Sequence, residues 1–150
     1  MALLRDVIEE DLPVFFEHQR DPEANRMAAF PAREWDAFVA HWREKVLGNP
    51  SNRKKTIVVD DAVVGYVSSW EQDGKRLVAY WLGRAYWGRG IGTSALRKFL
   101  AHETTRPLYA FVAVQNVASI RVLERCGFQR VVGAAKGPDD VDEYLFCLDA

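Results

Sequence analysis

The sequence predicts an α+β fold: one mixed sheet flanked by helices, in a single domain spanning residues 1–150. Three observations predict it. β-branched runs flank the turns Asp60-Asp61 and Asp73-Gly74, the mark of an antiparallel meander. A helix-patterned stretch separates Leu77–Leu82 from the apolar run Pro107–Val114, the mark of a right-handed crossover between parallel strands. The chain has 150 residues, 49% of them hydrophobic, enough to bury one core.

Each element has a local reason. Leu3-Leu4-Arg5 reads as a short opening strand. Asp11 is placed as an N-cap with Pro13 in the first helical turn, and the helix Leu12–Gln19 is predicted to stop before Asp21-Pro22. Trp35, Phe38, Val39, Trp42 and Val46 recur at helical steps, so Arg33–Leu47 is read as one helix closed by Gly48-Asn49-Pro50. Lys55–Val59, Ala62–Trp70 and Leu77–Leu82 form the predicted meander. A glycine loop follows, then a helix through His102. Pro107–Val114 is a buried-looking strand. Asn116 caps a helix over Val117–Cys126, and Gly127-Phe128 stops it with an apolar anchor. Val131-Val132 and Tyr144–Leu148 close the sheet around the polar loop Lys136-Gly137-Pro138-Asp139-Asp140.

Composition removes several function classes. Lys+Arg number 20 against 21 Asp+Glu, a net charge of −1, which argues against a protein that coats nucleic acid. Two cysteines, Cys126 and Cys147, form neither a disulfide framework nor a zinc motif, and His18, His41 and His102 have no ligand spacing, so no metal is expected. No basic-then-apolar leader or bilayer-length apolar run is present, and the expected location is cytoplasmic, with no membrane partner.

The most informative stretch is Tyr80–Leu96. An aromatic strand ends in a short polar connection, then Gly88, Gly90 and Gly92 alternate with Arg89 and Ile91 at the mouth of a helix. Glycines let backbone N–H groups approach an anion, and the helix start adds unpaired N–H groups and a favourable dipole. The pattern is a phosphate or pyrophosphate cradle. A nucleoside-triphosphate loop fails, because Arg89-Gly90 stands where Lys and Ser/Thr are needed. A dinucleotide fingerprint fits Gly90–Ala95 as GxGxxA, but the acidic ribose ligand about 20 residues later is missing.

A second cluster completes the picture. Asn116-Val117-Ala118-Ser119 opens a helix that ends in Leu123-Glu124-Arg125-Cys126-Gly127-Phe128. This N-x-x-S…G-F pattern, together with Trp87-Gly88-Arg89-Gly90-Ile91-Gly92-Thr93, resembles the GCN5-related N-acetyltransferase (GNAT) superfamily. It is most similar to the ribosomal-protein and N-terminal acetyltransferase (RimJ/RimL-like) branch. The resemblance implies a GNAT-like fold and an enzyme that transfers acetyl from acetyl-CoA to a primary amine by direct attack. The acceptor would be a protein N-terminus, a small amine or an antibiotic. The second reading is a non-catalytic acyl-CoA-binding or sensing module, and a monomer or homodimer is expected.

The same resemblance implies roles. Backbone groups of Trp81, Leu82 and Gly83 would pair with the pantetheine arm. N–H groups of Arg89, Gly90, Ile91, Gly92 and Thr93 would hold the pyrophosphate, Arg89 would add charge at its rim, Trp87 and Gly88 would belong to the same cofactor-binding loop, and Asn116 and Ser119 would face the cofactor. Leu123 stands where many relatives carry a thiolate-protonating tyrosine, so Ser119 is the substitute acid. Glu71 is the first candidate base and Glu34 the second, while Phe30 and Trp35 are candidates to line the acceptor site. Cys126 reads as a packing residue.

Overall fold

A computed structural model describes residues 2–131 and 142–149. Seven strands form one sheet in the order β1-β2-β3-β4-β5-β7-β6. The strands are β1 (Leu3–Arg5), β2 (Arg53–Val59), β3 (Ala62–Gln72), β4 (Lys75–Leu82), β5 (Leu108–Ala113), β6 (Gln129–Arg130) and β7 (Glu143–Leu148). Both meander turns have two consecutive residues at positive φ, Asp60 and Asp61 (50° and 66°) and Asp73 and Gly74 (51° and 77°). That geometry matches the twist of a two-residue hairpin and sets the β2–β3 and β3–β4 registers.

Helices cover both faces. α1 (Leu12–Gln19), α2 (Pro22–Ala28) and α3 (Trp35–His41) are followed later by α4 (Ile91–Leu100) and α5 (Val117–Arg125). One core packs Ile57, Val67, Leu96, Phe99, Leu108 and Phe146 between the sheet and α4–α5. The other gathers Leu12, Phe15, Phe38 and Trp42 around α1 and α3, with Trp42 lying 4.8 Å from the ring of Tyr66 on β3. Among the described residues no helix is long and apolar enough to cross a membrane.

Four local expectations are corrected. Asp21-Pro22 ends α1 but also starts α2, because the Asp21 carboxylate accepts from the N–H groups of Glu23 (2.8 Å) and Ala24 (3.2 Å). The short α2 lacks an apolar stripe, burying Ala24 alone, and periodicity could not reveal it. The helix predicted over 33–47 begins at Trp35 and widens into a π-type turn over Trp42–Leu47, which still buries Trp42 and Val46. Asp11 does not cap α1. Its buried carboxylate accepts from Arg5 (2.8 Å), the Ile8 N–H (3.0 Å) and the Thr56 hydroxyl (2.7 Å), tying the segment before α1 to β2. The first closing strand is Gln129–Arg130, with the Val131 N–H still bonded to the Leu145 carbonyl (2.8 Å); Val132 and the polar loop from Lys136 lie outside the described residues.

One feature of the sheet positions the site. β4 and β5 are parallel but pair at two places only, Arg76 with Leu108 and Leu77 with Tyr109. Beyond them the strands part, so Val78–Leu82 and Ala110–Ala113 flank an opening in mid-sheet. A buried cluster anchors the closed end. Glu103 accepts from the Ser69 hydroxyl (2.6 Å), Arg76 Nε (2.8 Å) and Arg53 (3.0 Å).

Candidate active site

Two cavities meet at the opening between β4 and β5. One, of about 320 Å³, runs from the glycine loop along the start of α4 and α5. The other, of about 620 Å³, extends under α2 and α3. Tyr80, Trp81, Asn116 and Ser119 belong to both.

The smaller cavity is built by the loop the sequence singled out. Gly88 and Gly90 both sit at φ 76°, a conformation that an L side chain adopts only with strain. A methyl on either would meet no protein atom within 4 Å, so open space adjoins both. Gly90 precedes α4, whose first backbone bond is Ser94 N–H to Gly90 C=O (3.1 Å). The N–H groups of Ile91, Gly92 and Thr93 therefore have no partner within the helix. The Thr93 hydroxyl is buried, lines the cavity and has no hydrogen-bond partner, an acceptor or donor left for a ligand. Free N–H groups, a helix N-terminus and an orphaned hydroxyl suit a pyrophosphate.

Gly83 has a different reason to be glycine. A Cβ there would lie 2.6 Å from the His18 imidazole of α1, which packs directly on the strand end. Its N–H is already bonded to the Val64 carbonyl (2.9 Å). The antiparallel register with β3 then turns the backbone groups of Trp81 the same way and leaves those of Tyr80 and Leu82 facing the opening. The Leu82 carbonyl accepts from the Trp87 indole (3.2 Å), which braces the glycine loop against its strand. The groups open to a strand-like ligand are thus those of Tyr80 and the Leu82 N–H; of the three residues read from the sequence, Leu82 faces the opening while Trp81 and Gly83 turn toward β3.

Around the junction, the Asn116 side chain accepts from the Ser119 N–H (3.2 Å) and caps α5. The Tyr80 hydroxyl donates to Ser119 Oγ (3.1 Å). Burial pushes the Tyr80 phenol up to about 12, so it stays protonated and keeps donating. Buried Leu123 also faces the larger cavity, where it supplies no proton. Sequence reasoning did not find Tyr80 as a polar group of the site, nor Arg121 and Arg125, which line the smaller cavity one helical turn apart on α5. Their i, i+4 spacing beside Asn116 was the available signal. Arg89 does not line that cavity; its guanidinium lies over the Tyr86 ring at 6.0 Å.

The larger cavity has aromatic walls: Phe30, Trp70, Trp81 and Phe111. Phe30 and Trp81 meet edge to face at 5.8 Å. Trp35, the other acceptor candidate, is 41% exposed, packs on Phe16 at 5.1 Å and does not line the cavity. Glu71 also lies elsewhere. Trp70 and Gln72 face the cavity, so the alternation of β3 turns Glu71 to the opposite face, 3.9 Å from Arg76. Glu34 precedes α3 on the exposed surface and does not reach the cavity either. Among the described lining residues the one carboxylate is Glu143, at the start of β7 opposite Ala113.

Cys126 is half-buried, with its sulfur 3.8 Å from the Thr93 carbonyl, and burial pushes its thiol up, away from nucleophilic chemistry. Among the described residues no group of three His, Cys, Asp or Glu side chains comes together as a metal site.

Known proteins give this geometry a family. Residues 2–129 match the family described as the acetyltransferase (GNAT) domain. The chain is 28% identical over 166 residues to the uncharacterized N-acetyltransferase p20 of Bacillus licheniformis, covering 97% of this chain and 90% of that protein. Its fold is similar to that of the aminoglycoside acetyltransferase AAC(6')-Ib solved with coenzyme A (TM-score 0.82, 19% identity, 99% and 95% of the two chains covered). It is equally similar to spermidine N-acetyltransferase from Vibrio cholerae, solved with CoA and spermine (TM-score 0.82, 15% identity, 99% and 95% covered). Since the family match runs from β1 into β6, the chain belongs to the acetyltransferase (GNAT) domain family and is an acetyltransferase.

Proposed function

We propose that this enzyme transfers the acetyl group of acetyl-CoA directly to a primary amine held in the larger cavity. The observation that carries the reading is the opening between β4 and β5, which joins a pyrophosphate-suited cavity to an aromatic one through Tyr80 and Ser119. Acetyl-CoA fits that path. Its pyrophosphate meets the start of α4 and the orphaned Thr93 hydroxyl, Arg121 and Arg125 offer charge to its remaining phosphate, and its arm lies along the free edge of β4.

The amine nitrogen attacks the thioester carbonyl carbon, a C–N bond forms, and the C–S bond breaks. An ammonium cannot attack, so a proton leaves first. Glu143 takes it through water in this reading, the role that the sequence assigned to Glu71. The Ser119 hydroxyl, oriented by Tyr80, donates a hydrogen bond to the departing sulfur, which leaves as the thiol once the proton released by the nitrogen reaches it.

The relatives solved with coenzyme A act on aminoglycosides or spermidine, which supports a small-molecule amine as acceptor. The RimJ/RimL-like run Trp87–Thr93 favours a second reading in which a protein N-terminus is the acceptor.

Thiol release from acetyl-CoA across a panel of small amines and N-terminal peptides tests transfer and acceptor together. Release that depends on an amine is expected. Stabilisation by acetyl-CoA in a thermal-shift assay without release on any amine would leave a binding module. Stabilisation by NAD(P)H in place of CoA would overturn the reading altogether.

A further inference from the structure

The charges of the larger cavity bear on which amine it takes. Arg33, before α3, and Lys45, in the π-type turn after it, both line the cavity, as does His41 at the end of α3. Neither Arg33 nor Lys45 has an ion-pair partner among the described residues, whereas Arg5, Arg53 and Arg76 each hold a carboxylate. Arg33 is fixed by its guanidinium lying over the Phe30 ring, 5.1 Å from its centroid. His41 is held below the usual imidazole range first by burial and then by the positive charges of Arg33 and Lys45, so both charges converge on one place.

A polyamine or aminoglycoside carries several ammonium groups and needs several acids. Among the described residues this cavity offers one carboxylate, Glu143 on β7, against two permanent cations. The same cavity carries the aromatic side chains Phe30, Trp70, Trp81 and Phe111.

We propose that the acceptor is an amino carboxylate with an apolar or aromatic body, its anionic end held by Arg33 and Lys45 and its amine directed to the junction near Glu143. The proposal rests on the larger cavity being the acceptor site. It gives the cavity the opposite sign preference from that required by the polycationic acceptors of the two solved relatives.

The test reads binding apart from turnover. On the full-length protein loaded with coenzyme A, NMR titration compares 3-phenylpropionate with phenethylammonium, which share a body and differ in charge. The carboxylate is expected to bind about tenfold more tightly, the effect of two rim charges acting together. Arg33→Gln with Lys45→Gln should abolish the preference, and Arg33→Lys with Lys45→Arg should restore it; both pairs alter exposed or half-exposed side chains, and circular dichroism verifies folding. Tighter binding of phenethylammonium or spermine, no binding of phenylpropionate, or a preference untouched by the double substitution would each overturn the proposal. Absence of thiol release with every amine, while the carboxylate preference holds, would remove acetyl transfer and leave the charge preference of the cavity standing.

Discussion

The Tyr80–Ser119 hydrogen bond, 3.1 Å at the meeting of the two cavities, separates a structural role for Ser119 from a chemical one. Ser119→Ala removes the acceptor of a phenol that burial keeps protonated, leaving a buried donor unpaired at a cost of about 1–3 kcal/mol. Tyr80→Phe removes the donor and leaves the Ser119 hydroxyl, which remains able to donate and accept, at a cost of about 1 kcal/mol. At this chain length each kcal/mol lowers Tm by about 2–4 °C. The double variant should show coupling of about 1 kcal/mol, measured by urea unfolding. Turnover behaves differently if Ser119 donates to the departing sulfur. Ser119→Ala should then lower kcat about a hundredfold, equivalent to about 2.7 kcal/mol of transition-state stabilisation, with KM for acetyl-CoA changed by less than about threefold. Tyr80→Phe should lower kcat by only a few-fold, and its effect should vanish in the Ser119→Ala background. Steady-state thiol release at saturating acceptor is the assay. A Ser119→Ala enzyme that loses stability as expected but keeps wild-type kcat would refute the chemical role.

Glu143→Gln should lower kcat/KM about a hundredfold near neutral pH, and the deficit should shrink at alkaline pH, where the amine loses its proton to solvent; a pH-independent ratio would exclude Glu143 as the base. Gly90→Ala should cost about 1 kcal/mol in the free protein, because φ is 76° there, and weaken coenzyme A about tenfold by calorimetry, since the added methyl displaces ligand rather than protein. Glu103 governs acid stability. Burial pushes its carboxyl up, but the bonds from Ser69 and Arg76 and the charges of Arg76 and Arg53 outweigh that and hold it below the usual carboxylate range. Its stabilisation is therefore full above about pH 4.3, the unfolded value, and is lost as pH falls through the lower folded value. Glu103→Gln should lower stability by about 3 kcal/mol at neutral pH by stranding Arg76, and should flatten acid unfolding.

What is contiguous in the chain was legible without its fold. The meander turns, the glycine loop at the mouth of α4 and the Asn116-capped α5 are each written within a few residues, because turn dihedrals, caps and anion cradles are local chemistry. The glycine loop and the Asn116-capped helix, in that order, carry the resemblance to the acetyltransferase family that points to acetyl-CoA. The tertiary structure decided what is assembled from distance. Whether Trp70 or Glu71 faced the larger cavity was unreadable, since period-two alternation fixes that neighbours differ and not which face is which until β3 is packed. Tyr80 meets Ser119 across 39 positions of chain, a contact made by the parting of β4 from β5 and marked by no local pattern. Arg33, Lys45 and Glu143 likewise share a cavity although about a hundred positions of chain separate the first two from the third. The smaller cavity was written locally and the larger one was not, because the first is built by a loop and a helix end while the second is a space enclosed by separate elements.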